Sequence, residues 1–137
     1  MIRQHVCFPK YHWCVDILYD VKPKDTGFIL DKLADLRCPM RNLVKAEDLL
    51  LSGVPNEGLT YSNKHEHRTL IVVGHATSVG EWLSTISHEV NHLADHIAQY
   101  YDMPYGGEEH AYLTGDIAKA IYSNAVEHIG VALRSII

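Results

Sequence analysis

The chain has 137 residues, of which 47% are hydrophobic and 21% charged, and its formal net charge is −5. That length suits one domain, 1–137, with a core large enough to need no staples. The acidic balance argues against a general nucleic-acid binder, which carries a basic face. The N-terminal stretch "MIRQHVCFPKYHWC" lacks the apolar h-region of a signal peptide. No apolar run approaches the roughly 20 residues of a membrane span. Cys7, Cys14 and Cys38 are odd in number and contain no C-x-x-C pair, so three reduced thiols in a cytoplasmic protein are expected.

In chain order, "YHWCVDILYDV" (11–21) is rich in β-branched and aromatic residues and reads as the first strand. "DTGFILDKLADLRC" (25–38) places Phe28, Ile29, Leu33 and Leu36 at helical spacing. "RNLVKAEDLLLSG" (41–53) is a second helical segment closed by Gly53. Residues 54–74 predict a hairpin with arms at about 58–62 and 68–74. His65 and His67 beside its loop read as solvated loop histidines.

Ser78 and Glu81 have the spacing of a capping box, and nothing breaks a helix from there to Tyr101. "DMPYGG" stops it. A last helix is predicted from near Gly107 to about His128, with Gly130 just past its end.

The long helix carries "SHEVNHLADH". With His88 at zero on a helical wheel, His92 lies at about 40° and His96 at about 80°. Leu83, Ile86, Val90, Leu93, Ala94 and Ile97 gather on the other side. His88 and His92 therefore point the same way and can converge on one ion. Glu89, about 100° round, is left free to act on a water. A chain of this composition shows His-Glu-x-x-His by chance with a probability of about 4%, so further support is needed.

A catalytic zinc usually has three protein ligands and keeps a fourth position for water. Three ligands along one straight helix span about 12 Å, which sets His96 aside. The metzincin pattern fails, because Asp95 and Ala98 stand where glycine and histidine belong. A glutamate on the next helix remains, from Glu108 or Glu109. Glu108 shares a wheel face with Ala111, Tyr112 and Gly115. A close approach of two helices would account for a glycine at 115, so Glu108 is preferred.

"HEVNH" followed by "EEHAYLTG" resembles the zinc helix and glutamate helix of the gluzincin metallopeptidases. It is most similar to short minigluzincins and to small peptidase-like proteins of Bacteroides and their phages, with an E-x-x-A-Y-x-x-G pattern. Glu108, Ala111, Tyr112 and Gly115 match that pattern. The resemblance covers about residues 58–125.

It implies an α+β, zincin-like fold. A small, twisted, mostly antiparallel sheet would pack on a zinc-binding helix and a following glutamate helix. "TLIVVG" (69–74) would be the edge strand that takes a peptide by β-augmentation. The implied function is a zinc-dependent metallopeptidase acting on peptides or proteins, with Zn²⁺ on His88, His92 and Glu108. Glu89 would be general base toward a metal-activated water. Larger relatives have a further subdomain that often supplies an oxyanion-stabilising Tyr or His. Here Tyr112, His110 and His75 are the candidates, and Asp95 or Asp116 is a candidate to orient a zinc imidazole. The alternative is a non-catalytic or structural zinc-binding interaction module. Oligomeric state is not legible.

Overall fold

The computed structural model describes the backbone of residues 1–134 and the side chains of residues 1–123. The elements in chain order are β1 (Ile2–Phe8), β2 (Trp13–Val21), α1 (Thr26–Asp35), α2 (Met40–Ser52), β3 (Gly58–Asn63), β4 (Arg68–Gly74), α3 (Val79–Tyr100) and α4 (Glu108–Arg134). They form an α+β domain with a mixed four-stranded sheet of order β1-β2-β4-β3. β1–β2 and β3–β4 are antiparallel, whereas β2 and β4 run parallel. The chain crosses from β2 to β4 through α1, α2 and β3, which is why a parallel pair enters a sheet otherwise built of hairpins.

Both faces of the sheet are covered. Val15, Ile17 and Tyr19 of β2 and Ile71 and Val73 of β4 pack under α3 and α4 against Ile86, Leu93, Ile97, Leu113 and Ile117. Leu18, Val21, Leu70 and Val72 face α1 and α2 and meet Ile29, Leu33 and Leu50. Asp20, at φ 54°, lies where the register shifts between Leu18 and Val21. That irregularity lets Tyr19 and Val21, two apart, serve opposite cores.

The expected strand at 69–74 is present, but it is central and not the edge. Its unbroken apolar run has the composition of a strand buried on both faces. The edges are β1 and β3, and the one that lies against α3 is β3, every residue of which is half-buried.

β1 is absent from the sequence reading. Its alternation of Ile2, Val6 and Phe8 is interrupted by Gln4, a polar residue in an inward position. Gln4 is buried and satisfied: its Nε2 donates to the Ile121 carbonyl at 3.2 Å, and the Tyr19 hydroxyl donates to its Oε1 at 2.5 Å.

Two further expectations are corrected. α4 does not end before Gly130 but continues to Arg134, because a single interior glycine costs only about 1 kcal/mol and does not by itself stop a helix. Cys7 and Cys14 are joined by a disulfide across the β1–β2 hairpin, and only Cys38 is a free thiol. Without β1, the sequence offers no reason to bring residues 7 and 14 face to face. No helix among the described residues is long and apolar enough to cross a membrane.

Candidate metal centre

α3 begins where Ser78 Oγ accepts the Glu81 backbone N–H at 3.1 Å. This satisfies one of the donors a helix start leaves unpaired. The helix then runs 22 residues with Trp82, Ile86, Val90, Leu93 and Ile97 buried. Leu83, placed on the apolar face by the wheel, is 47% exposed in the second turn. The wheel gives direction, not the depth of the layer below.

His88 and His92 lie exposed on the outer face, and their Nε2 atoms are 3.1 Å apart. Two nitrogens at about 2.0–2.1 Å from a tetrahedral zinc ion stand about 3.3–3.4 Å apart. The pair is thus close to the spacing a shared ion needs, and equally fits an N–H···N hydrogen bond between the rings.

Glu89 is different in kind. It is only 4% exposed, a rare position for a carboxylate. The Thr60 hydroxyl donates to its Oε2 at 2.5 Å, which fixes the carboxylate against the edge strand. Ligand atoms of His88, Glu89 and His92 all lie within 4.8 Å of one another.

The approach of β3 to α3 depends on Gly58. A Cβ there would stand 2.8 Å from the Val72 carbonyl oxygen and 3.1 Å from both Glu89 Cγ and Thr85 Cγ2. A cleft of about 230 Å³ opens beside the cluster, bounded by Asn56, Glu57, Gly58, Thr85, His88 and Glu89. Sequence reasoning missed Thr60 and Gly58. The one available signal was a glycine at a strand start, which marks a close backbone approach.

His96 is held apart from the pair. Its Nδ1 meets Ser62 Oγ at 2.6 Å, Ser62 meets Thr69 Oγ1 at 2.7 Å, and the Trp13 indole N–H donates to Thr69 at 2.9 Å. Since Trp13 can only donate, the direction that uses every hydroxyl proton runs from Trp13 through Thr69 and Ser62 to a lone pair on His96 Nδ1. Burial, aided by the Lys64 charge, pushes the His96 pKa below its usual value.

Glu108 does not join the cluster. It opens α4, is exposed, and lies on the helix side opposite Leu113, Ile117 and Ile121. Glu109 is also exposed. The close helix approach expected at Gly115 is not found: a Cβ there would meet nothing within 4 Å, so no helix contact requires that glycine.

The other candidates are engaged elsewhere or exposed. His110 Nε2 lies 3.1 Å from Asp95 Oδ1, so Asp95 orients His110 and neither His88 nor His92. Asp116 accepts from the Tyr11 hydroxyl at 2.8 Å. Burial, that hydrogen bond and the charges of Asp116 and Glu109 push the Tyr11 pKa up to about 12. His75 pairs with Asp20 at 2.9 Å. Tyr112 is 65% exposed.

No protein-family model, curated protein or solved structure matches the chain.

Proposed function

We propose that this protein is a zinc-dependent metallopeptidase of zincin-like fold that works in the cytoplasm on peptides or proteins. The observation that supports this reading is the convergence of two imidazole nitrogens and one buried carboxylate beside an edge strand. His88 and His92 would hold the ion. Zinc bound there would polarise the scissile carbonyl and acidify water. Glu89 takes a proton from the attacking water and delivers it to the leaving amine nitrogen. The Thr60 hydroxyl holds Glu89 Oε2 and so sets the plane of the carboxylate. An extended peptide pairs with the outer edge of β3, which no other strand covers among the described residues. In this reading Glu108, which stands outside the His88–Glu89–His92 cluster, completes the ligand set.

A second reading is favoured by one specific fact: Glu89 is inside the cluster and Glu108 is outside it. If Glu89 is itself the third ligand, no carboxylate is left as base. The chain is then a non-catalytic zinc-binding module. Glu89→Gln separates the two. In the peptidase, the variant keeps the zinc content of the parent and loses hydrolysis of a peptide library by about 10²–10⁴-fold. A variant that loses zinc together with any activity points to the module. Hydrolysis equal to the parent would overturn the mechanism.

A further inference from the structure

A second group of metal-binding side chains stands on β1 and β2, on the sheet face that carries α1 and α2. Arg3 identifies that face, because its guanidinium lies 4.4 Å over the Phe28 ring of α1. His5 and Cys7 follow Arg3 at steps of two, so they share its side. Their register partners on β2 are Asp16 and Cys14. Four side chains thus form a block of two cross-strand pairs.

Within the block, His5 Nδ1 lies 2.6 Å from Asp16 Oδ1 and His5 Nε2 lies 3.3 Å from Cys7 Sγ. Ligand atoms of His5, Cys7 and Cys14 are all within 4.8 Å of one another. A sulfur and a nitrogen bound to one tetrahedral zinc, at about 2.3 and 2.0–2.1 Å, are about 3.5 Å apart. The Nε2–Sγ distance is already near that value. Two bound sulfurs need about 3.8 Å. Cys7 and Cys14 are directly opposed with Cα atoms 4.1 Å apart, and once the bond between them is opened side-chain rotation can set that spacing. Asp16 stands where a carboxylate fixes the tautomer of a metal-binding histidine. The His5 side chain is 62% exposed, so an ion has access.

We propose that His5, Cys7 and Cys14 form a thiol-dependent site for a divalent cation of zinc type, with Asp16 as positioning residue. The site and the disulfide exclude each other. A dithiol reductant supplies two electrons and two protons, opens the Cys7–Cys14 bond and leaves as its own disulfide. The two thiols then lose their protons to water as the cation binds. In a reducing compartment the hairpin carries an ion, and in an oxidising one it carries a cross-link.

Cobalt(II) titration of the full chain tests this, because sulfur-to-cobalt charge transfer absorbs in the near ultraviolet. The reduced parent should show that band with one cobalt per chain at this site, and the oxidised parent should not. The Cys7→Ser/Cys14→Ser variant should lack it. Cys38 is buried, and any band that it gave would persist in the Cys7→Ser/Cys14→Ser variant. The His88→Ala/His92→Ala variant should keep the band, whatever becomes of the site on α3. Asp16→Asn should keep it with affinity weakened about 10–100-fold. Absence of the band in the reduced parent, its persistence without Cys7 and Cys14, or its loss with His88 and His92 would overturn the proposal. Unchanged affinity in Asp16→Asn would remove the positioning role.

Discussion

The two clusters are built in opposite ways. On α3, His88, Glu89 and His92 come from one helical turn, and 3.6-residue periodicity alone makes them neighbours. On the hairpin, His5, Cys7, Cys14 and Asp16 come from two strands, and they meet only because β1 pairs with β2 in one register. A one-residue slip would turn one strand's pair to the other face. The helical cluster is therefore locally encoded, while the hairpin cluster is a product of tertiary pairing. Even the helical cluster owes its unusual member to the fold: Glu89 is buried because β3 lies against it and Thr60 caps its carboxylate.

The strongest change is expected at the two histidines of α3. His88→Ala or His92→Ala should abolish zinc binding at α3, read as zinc per chain on protein purified without a histidine tag and with the Cys7–Cys14 disulfide intact, and should leave the hairpin site of the reduced chain unaffected. Under about 0.2 zinc per chain in the parent, with no gain on adding zinc, would remove the metal from both readings of the α3 site. Glu89→Gln comes next, with the loss of turnover given above.

Two glycines probe how the α3 cluster is supported. Gly58→Ala introduces a Cβ against Val72, Thr85 and Glu89. It should destabilise by about 1–3 kcal/mol, read by chemical denaturation. Gly115→Ala meets open space and should stabilise by about 0.5–1 kcal/mol through helix propensity. A loss at 115 in the presence of zinc, with a gain in its absence, would reveal that the metal draws α4 toward α3.

The smallest effect is at Tyr11. Its pKa is raised from about 10 to about 12. The neutral phenol is favoured in the folded state, so its contribution is full below the unfolded pKa and is lost as pH rises through the folded one. Thermal stability should therefore fall between about pH 10 and pH 12, and Tyr11→Phe should flatten part of that fall. An identical alkaline profile in the variant would show that burial and Asp116 do not raise the Tyr11 pKa on folding.

Legible in the chain alone are the parts that depend on neighbours along it. These are the helix at 79–100 with its Ser78 cap, the second hairpin, and the convergence of His88 and His92. Each follows from a local period or a local hydrogen bond. The rest came from packing between elements distant in the chain. It placed 69–74 at the centre of the sheet and 58–63 at its edge. It buried Gln4 in a strand that its polarity had disguised, and joined Cys7 to Cys14. It also turned Glu108 to solvent, although on the wheel Glu108 shares a face with Ala111, Tyr112 and Gly115. The physical reason is the same throughout. A wheel or an alternation fixes which side chains share a face, but which way that face turns is set by the apolar surface it must bury. On α4 that surface is Leu113, Ile117 and Ile121, and it carries Glu108 to the far side.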